Sequence, residues 1–156
     1  MAIFRRAIKT AAPTIDPRIR ERVVFSSTVK VPQKIIELFE IVFSKVADQI
    51  ENDKITNLPK VNCILTRKRE VSIVLGDEEV AICCTLCIYP IDKWLLKYSE
   101  IQICAIITEE LCHVFWGIEN EYDVCYKVWE VVRRISPEVK IEELYNMDEA
   151  KRLGRK

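Results

Sequence analysis

The chain has 156 residues, 49% of them hydrophobic, with only 3 Gly and 6 Pro. That is enough for one domain with its own core, and it excludes a disordered or fibrous chain. Its 24 basic and 24 acidic residues cancel, so it lacks the global basic excess that marks a nucleic-acid binder.

Charge is nevertheless uneven, with Arg5, Arg6, Lys9, Arg18, Arg20 and Arg22 early in the chain and acidic residues between Glu109 and Asp123. No apolar run approaches the roughly 20 residues that a membrane-spanning helix needs. No apolar signal region with a cleavage site is visible at the N-terminus. The 7 cysteines are odd in number and sit mostly among Ile, Val and Leu, which fits free, buried thiols in a reducing compartment. The expectation is a cytoplasmic protein with no membrane segment. Residues 1–156 form a single domain, with 1–16 and 151–156 peripheral or frayed.

Along the chain, Pro13 and Pro17 break regularity, and Asp16-Pro17 predicts a short helix over 17–23, with Ser26, Ser27 and Thr28 as turn or cap residues. Residues 32–51 predict a long amphipathic helix, because Ile35, Ile36, Phe39, Ile41, Val42, Phe43, Val46 and Ile50 give a broad apolar face and Glu37, Glu40, Lys45 and Asp48 supply the polar one. Residues 52–60 carry Asp53, Asn57 and Pro59 and read as a loop. Residues 61–90 read as sheet, with strands over 62–66, 71–75 and 80–89. The connections between them are short, so the pattern predicts a three-stranded, mainly antiparallel meander. Arg67, Lys68 and Arg69 lie at a turn, where three charges are normally solvated. Asp92 then caps a short turn through Trp94. Helices are predicted over 99–117, capped by Ser99 and ended by Gly117, and over 121–135, ended by Ser136-Pro137. A short last helix is predicted over 141–153. The fold class is α+β, because helices and strands are segregated.

The stretch 101–117 carries the chemical signal. Ile103, Ile107, Leu111 and Phe115 recur every four residues and form an apolar stripe. In its middle lie Glu109, Glu110 and His113, the single histidine of the chain. Glu109 and His113 are one turn apart on a shared face, and Glu110 is close beside them. His-Glu-x-x-His on a helix is a zinc-peptidase signature. In it two imidazoles hold the metal, and the intervening Glu deprotonates water. Here Glu109-Glu110-Leu111-Cys112-His113 keeps the second His and the Glu and replaces the first His by Glu109, whose carboxylate can also ligate zinc.

With the acids of 118–123 just downstream, residues 108–123 resemble a degenerate minimal zincin metallopeptidase of the SprT-like or ImmA/IrrE-like kind. The resemblance covers about a tenth of the chain by motif, and more by element order. It implies a zincin-like domain that binds zinc or another divalent metal and acts on a peptide or protein. It also implies His113 as a metal ligand, Glu110 as general base and Glu109 at the place of the missing His. Glu121, or else Glu119 or Asp123, would be the third ligand. A domain that kept this scaffold without catalysis, used to bind a protein partner, fits the same residues. So does an unrelated α+β interaction module in which the cluster is surface charge.

Other patterns carry less. Glu110-x-x-His113 has di-iron spacing, but that chemistry needs two such motifs on four helices. Cys83-Cys84-x-x-Cys87 falls in a predicted strand, where Cys83 and Cys87 face one side and Cys84 the other, so core packing is favoured over a redox pair. Cys112 and His113 point about 100° apart on a helix, a poor start for a Cys–His nucleophile. Trp94, Trp116 and Trp129 are placed to gather near Gly117 as an aromatic wall, although tryptophans are more often core or interface residues.

Overall fold

A computed structural model describes residues 11–67, 85–92 and 94–154. The described elements are β1 (Val23–Ser27), α1 (Gln33–Asn52), β2 (Val61–Thr66), β3 (Thr85–Pro90), α2 (Trp94–Lys97), α3 (Glu100–Phe115), α4 (Glu121–Val132), α5 (Ile141–Leu144) and α6 (Met147–Leu153).

The three strands form one sheet in the order β1-β2-β3, and both pairings are parallel. This corrects the antiparallel meander expected from the sequence. Two features account for the difference. Val23, Val24 and Phe25 are β-branched or aromatic, and they pair with β2 instead of ending a helix, so a strand precedes the long helix. The crossover through α1 then makes β1 and β2 parallel, because such a connection returns the chain to the same end of the sheet. Between β2 and β3 lie residues 67–84, a connection long enough for a second crossover. The strand expected over 71–75, the start of the one expected over 80–89, the basic turn at Lys68 and Arg69, and Cys83 and Cys84 lie outside the described residues. No helix among the described residues is long and apolar enough to cross a membrane.

The core lies where α1 and α3 meet one face of the sheet. Phe39, fully buried on α1, meets Phe25 of β1 edge-on at 5.2 Å and Tyr89 of β3 edge-on at 5.2 Å, with Phe43 tilted at 5.7 Å. The Tyr89 hydroxyl donates to the Ile107 carbonyl of α3 at 3.1 Å, so the buried phenol has the partner it needs. The segment before β1 is tied to α1. The Thr14 amide donates to Glu40, and the Arg18 guanidinium contacts Asp16, Asp48 and Glu51. Five described cysteines, Cys63, Cys87, Cys104, Cys112 and Cys125, are free and buried, as small core residues. Cys63 and Cys87 are register partners on β2 and β3.

The end of α1 fastens the helical layer. Asp53 caps it, and Lys54 turns left-handed at φ 55°, which lets the Lys54 and Ile55 amides reach the carbonyls of Glu51 and Ile50. The Asp53 carboxylate accepts from Lys127 Nζ at 2.9 Å, Trp116 Nε1 at 2.8 Å and Gln49 Nε2 at 2.9 Å, so it joins α1 to α3 and α4. Trp116 is therefore a strut and not part of a groove. Trp129 donates to the Val139 carbonyl, and Trp94 packs on Tyr89, so the three tryptophans do not form one wall.

Partial burial pushes Asp53 up, but Lys127, Gln49, Trp116 and Asn52 outweigh it and hold the carboxyl at about 2. A depressed pKa stabilises the fold above the unfolded value of 3.8, and that stabilisation fades as pH falls toward about 2. Solvent screening at this partly exposed carboxylate keeps the difference to about 1 kcal/mol. Chemical unfolding of wild type and Asp53→Asn should differ most at pH 5 and above, and the gap should close between pH 4 and about 2. A gap independent of pH would show that the Asp53 charge is not what joins these helices.

Candidate metal centre

The site rests on how α3 begins and ends. Ser99 and Gln102 form a reciprocal capping box at the N-terminus, with the Ser99 amide donating to Gln102 Oε1 at 2.9 Å. At the other end Gly117 takes φ +61°, a conformation that favours glycine. The reversed chain brings the Ile118 carbonyl to His113 Nδ1 at 2.5 Å. A carbonyl only accepts, so Nδ1 carries a proton, and Nε2 is the nitrogen that a metal would take. Asn120 then caps α4, accepting from the Tyr122 and Asp123 amides at 2.9 and 3.1 Å. That cap fixes the first turn of α4, from which Glu121 projects.

Glu109, His113 and Glu121 each offer a ligand atom, and these atoms lie within 4.8 Å of one another. Glu109 and His113 are half-buried and Glu121 is exposed. Of the three downstream acids considered from sequence, Glu121 is the one that joins this group. A neutral imidazole nitrogen with two carboxylates is a donor set that zinc accepts. The anchoring of the second imidazole nitrogen on a carbonyl is the usual orienting contact of a metal-binding histidine. The residues present therefore fit a divalent metal.

The electrostatics point the same way. Burial raises the Glu109 carboxyl above its ordinary range. The Tyr145 hydroxyl draws it back, the charges of Glu121 and Glu110 raise it, and His113 lowers it. Three carboxylates are crowded here against one imidazole, and a cation would relieve that crowding. Tyr145 Oη donates to Glu109 Oε2 at 2.9 Å, a partner that sequence reasoning did not identify. Nothing in the spacing of Tyr145, 36 residues away, signals it.

Glu110 lies on the wall of a cleft of about 560 Å³, together with Glu109, His113 and Glu121. Leu86, Ile88 and Pro90 of β3, Trp94, Tyr98 and Ile106 add an apolar side. Among the described residues the Glu110 side chain has no hydrogen-bond partner, whereas its carbonyl accepts from the Cys87 thiol at 3.7 Å. Cys112 is fully buried, and burial pushes its thiol well up, so it is an inert core residue and not a nucleophile. Burial likewise lifts Cys104 to about 12.

Compared with known protein families, curated proteins and solved structures, the chain matches none.

Proposed function

We propose that this chain is a zincin-like, metal-dependent hydrolase that acts on a peptide bond, with His113, Glu109 and Glu121 as metal ligands and Glu110 as general base. The observation that carries this reading is the convergence of one imidazole and two carboxylates, with His113 Nδ1 held by Ile118 so that Nε2 is left to bind. A zinc ion held there would polarise the peptide carbonyl and acidify a water.

The protein's own part is binding, orientation and proton transfer. The apolar side of the cleft, from Leu86 and Ile88 to Trp94 and Tyr98, suits the side chains of an extended peptide. Glu110 shares that cleft and has a carboxylate free of other partners among the described residues. It takes a proton from the attacking water. The water oxygen bonds to the carbonyl carbon, the C–N bond breaks, and Glu110 passes the proton to the departing amine.

A second reading, binding of a peptide without cleavage, is favoured by two features. Glu109 stands where the zinc-peptidase signature has its first imidazole, and Tyr98 is exposed beside the apolar wall.

Glu110→Gln separates the two readings. For a hydrolase, the variant should bind zinc like wild type while cleavage of an unfolded protein such as casein falls by about 100-fold or more. No cleavage by zinc-loaded wild type, with retained binding of the unfolded chain, would overturn the hydrolase reading in favour of the binding one.

A further inference from the structure

The last helical segment contacts Glu109 directly and, at its other end, the Asn120 cap that precedes Glu121. Tyr145 sits in extended backbone (φ −138°, ψ 147°) between α5 and α6. Its ring packs against both the main core and the smaller cluster of Cys125, Ile141 and Ala150. From there its hydroxyl donates to Glu109 Oε2 at 2.9 Å. At the far end of the same segment, the Gly154 carbonyl accepts from Asn120 Nδ2 at 2.8 Å. Asn120 is the cap that sets the first turn of α4, where Glu121 lies. The approach at Gly154 is close, since an added Cβ would lie 2.8 Å from Asn120 Oδ1 and 3.1 Å from Tyr122 Cβ.

We propose that Tyr145 is a positioning residue that holds Glu109 as a one-oxygen ligand, and that occupancy of the centre is thereby coupled to the docking of residues 141–154. The inference rests on the metal-binding reading above. Its physical basis is orientation. A carboxylate with two free oxygens can rotate and bind in several ways, whereas one oxygen held by a phenol leaves the other pointed at the site. Glu109 and His113 then have the same arrangement. Each has one polar atom tied to the protein, through Tyr145 or Ile118, and one left for the ligand. Because the tie to Glu109 comes from the C-terminal segment, linkage works in both directions. A metal that favours the held carboxylate also favours the docked segment.

The test uses the full chain and zinc alone. Zinc affinity is measured by competition with a chromophoric chelator, and amide exchange is followed with and without zinc. Tyr145→Phe should keep a one-to-one stoichiometry and lose roughly 10- to 100-fold in affinity. Zinc should slow exchange across residues 141–154 in wild type and slow it much less in the variant. Tyr122→Phe, which removes a hydroxyl paired with Tyr126 and not with Glu109, should bind zinc like wild type. A parallel loss in both variants would point to general loosening and overturn the proposal. Wild-type affinity in Tyr145→Phe, or exchange over 141–154 that ignores zinc, would overturn the coupling alone. A wild-type chain that takes up no zinc would overturn the coupling together with the metal centre.

Discussion

Phe39→Ala is expected to remove about 3–5 kcal/mol from the stability of the fold. The ring has no exposed surface and is the point where three others meet, Phe25 from β1, Tyr89 from β3 and Phe43 from its own helix. Truncation deletes the transfer free energy of a buried aromatic ring and leaves a cavity between layers that cannot close without moving the sheet. Domains of this size are stable by about 5–15 kcal/mol, so the variant should unfold at far lower denaturant concentration. Urea unfolding followed by circular dichroism reads the difference. Ile41→Ala, at an exposed position on the same helix, should change little. A loss below about 1.5 kcal/mol for Phe39→Ala would mean that α1 does not pack on the parallel sheet in the way described.

The second large effect concerns His113→Ala. It removes the only imidazole of the chain and with it one of three converging donors. Two carboxylates alone are a poor zinc site, and zinc affinity should fall by at least about 100-fold, which corresponds to about 2.7 kcal/mol. Stability of the metal-free protein should change much less, because the ring is half-buried and contributes one hydrogen bond, to Ile118. Calorimetric titration of metal-stripped protein measures the first quantity and thermal unfolding the second. An unchanged zinc affinity would place any bound metal elsewhere. A large loss of metal-free stability would make His113 a structural residue first.

What the sequence made legible follows from the range over which each signal acts. Period and capping are local, so the long helix, the helix carrying Glu109 and His113, its Ser99 cap and the Gly117 stop could be read from neighbours a few residues apart. The convergence of Glu109 with His113 follows from helix geometry alone. The sheet was read less well. Parallel and antiparallel strands share the same alternation of side chains, and the difference lies in connections and distant pairing. Val23-Val24-Phe25 are too few to outweigh a proline-led helix start in sequence, yet in the fold they gain a partner strand in β2. Tyr145 was illegible for the same reason. Its hydrogen bond to Glu109 spans 36 residues and depends on how α5 and α6 dock. For the tryptophans the sequence favours core packing, but their positions along the chain say nothing of their hydrogen-bond partners, which for Trp116 is Asp53 at the end of α1.

The central claim is a zinc centre built from one histidine and two glutamates in a chain that also contains 7 cysteines, the residue type whose thiolate is the usual rival ligand for zinc. X-ray absorption at the zinc edge of the stoichiometrically loaded protein tests it most directly, because nitrogen and oxygen ligands lie at about 2.0–2.2 Å and sulfur at about 2.3 Å. The account predicts one zinc per chain with a first shell of nitrogen and oxygen only and the outer-shell scattering of a single imidazole. A sulfur shell, or no stoichiometric zinc after careful reloading, would contradict it.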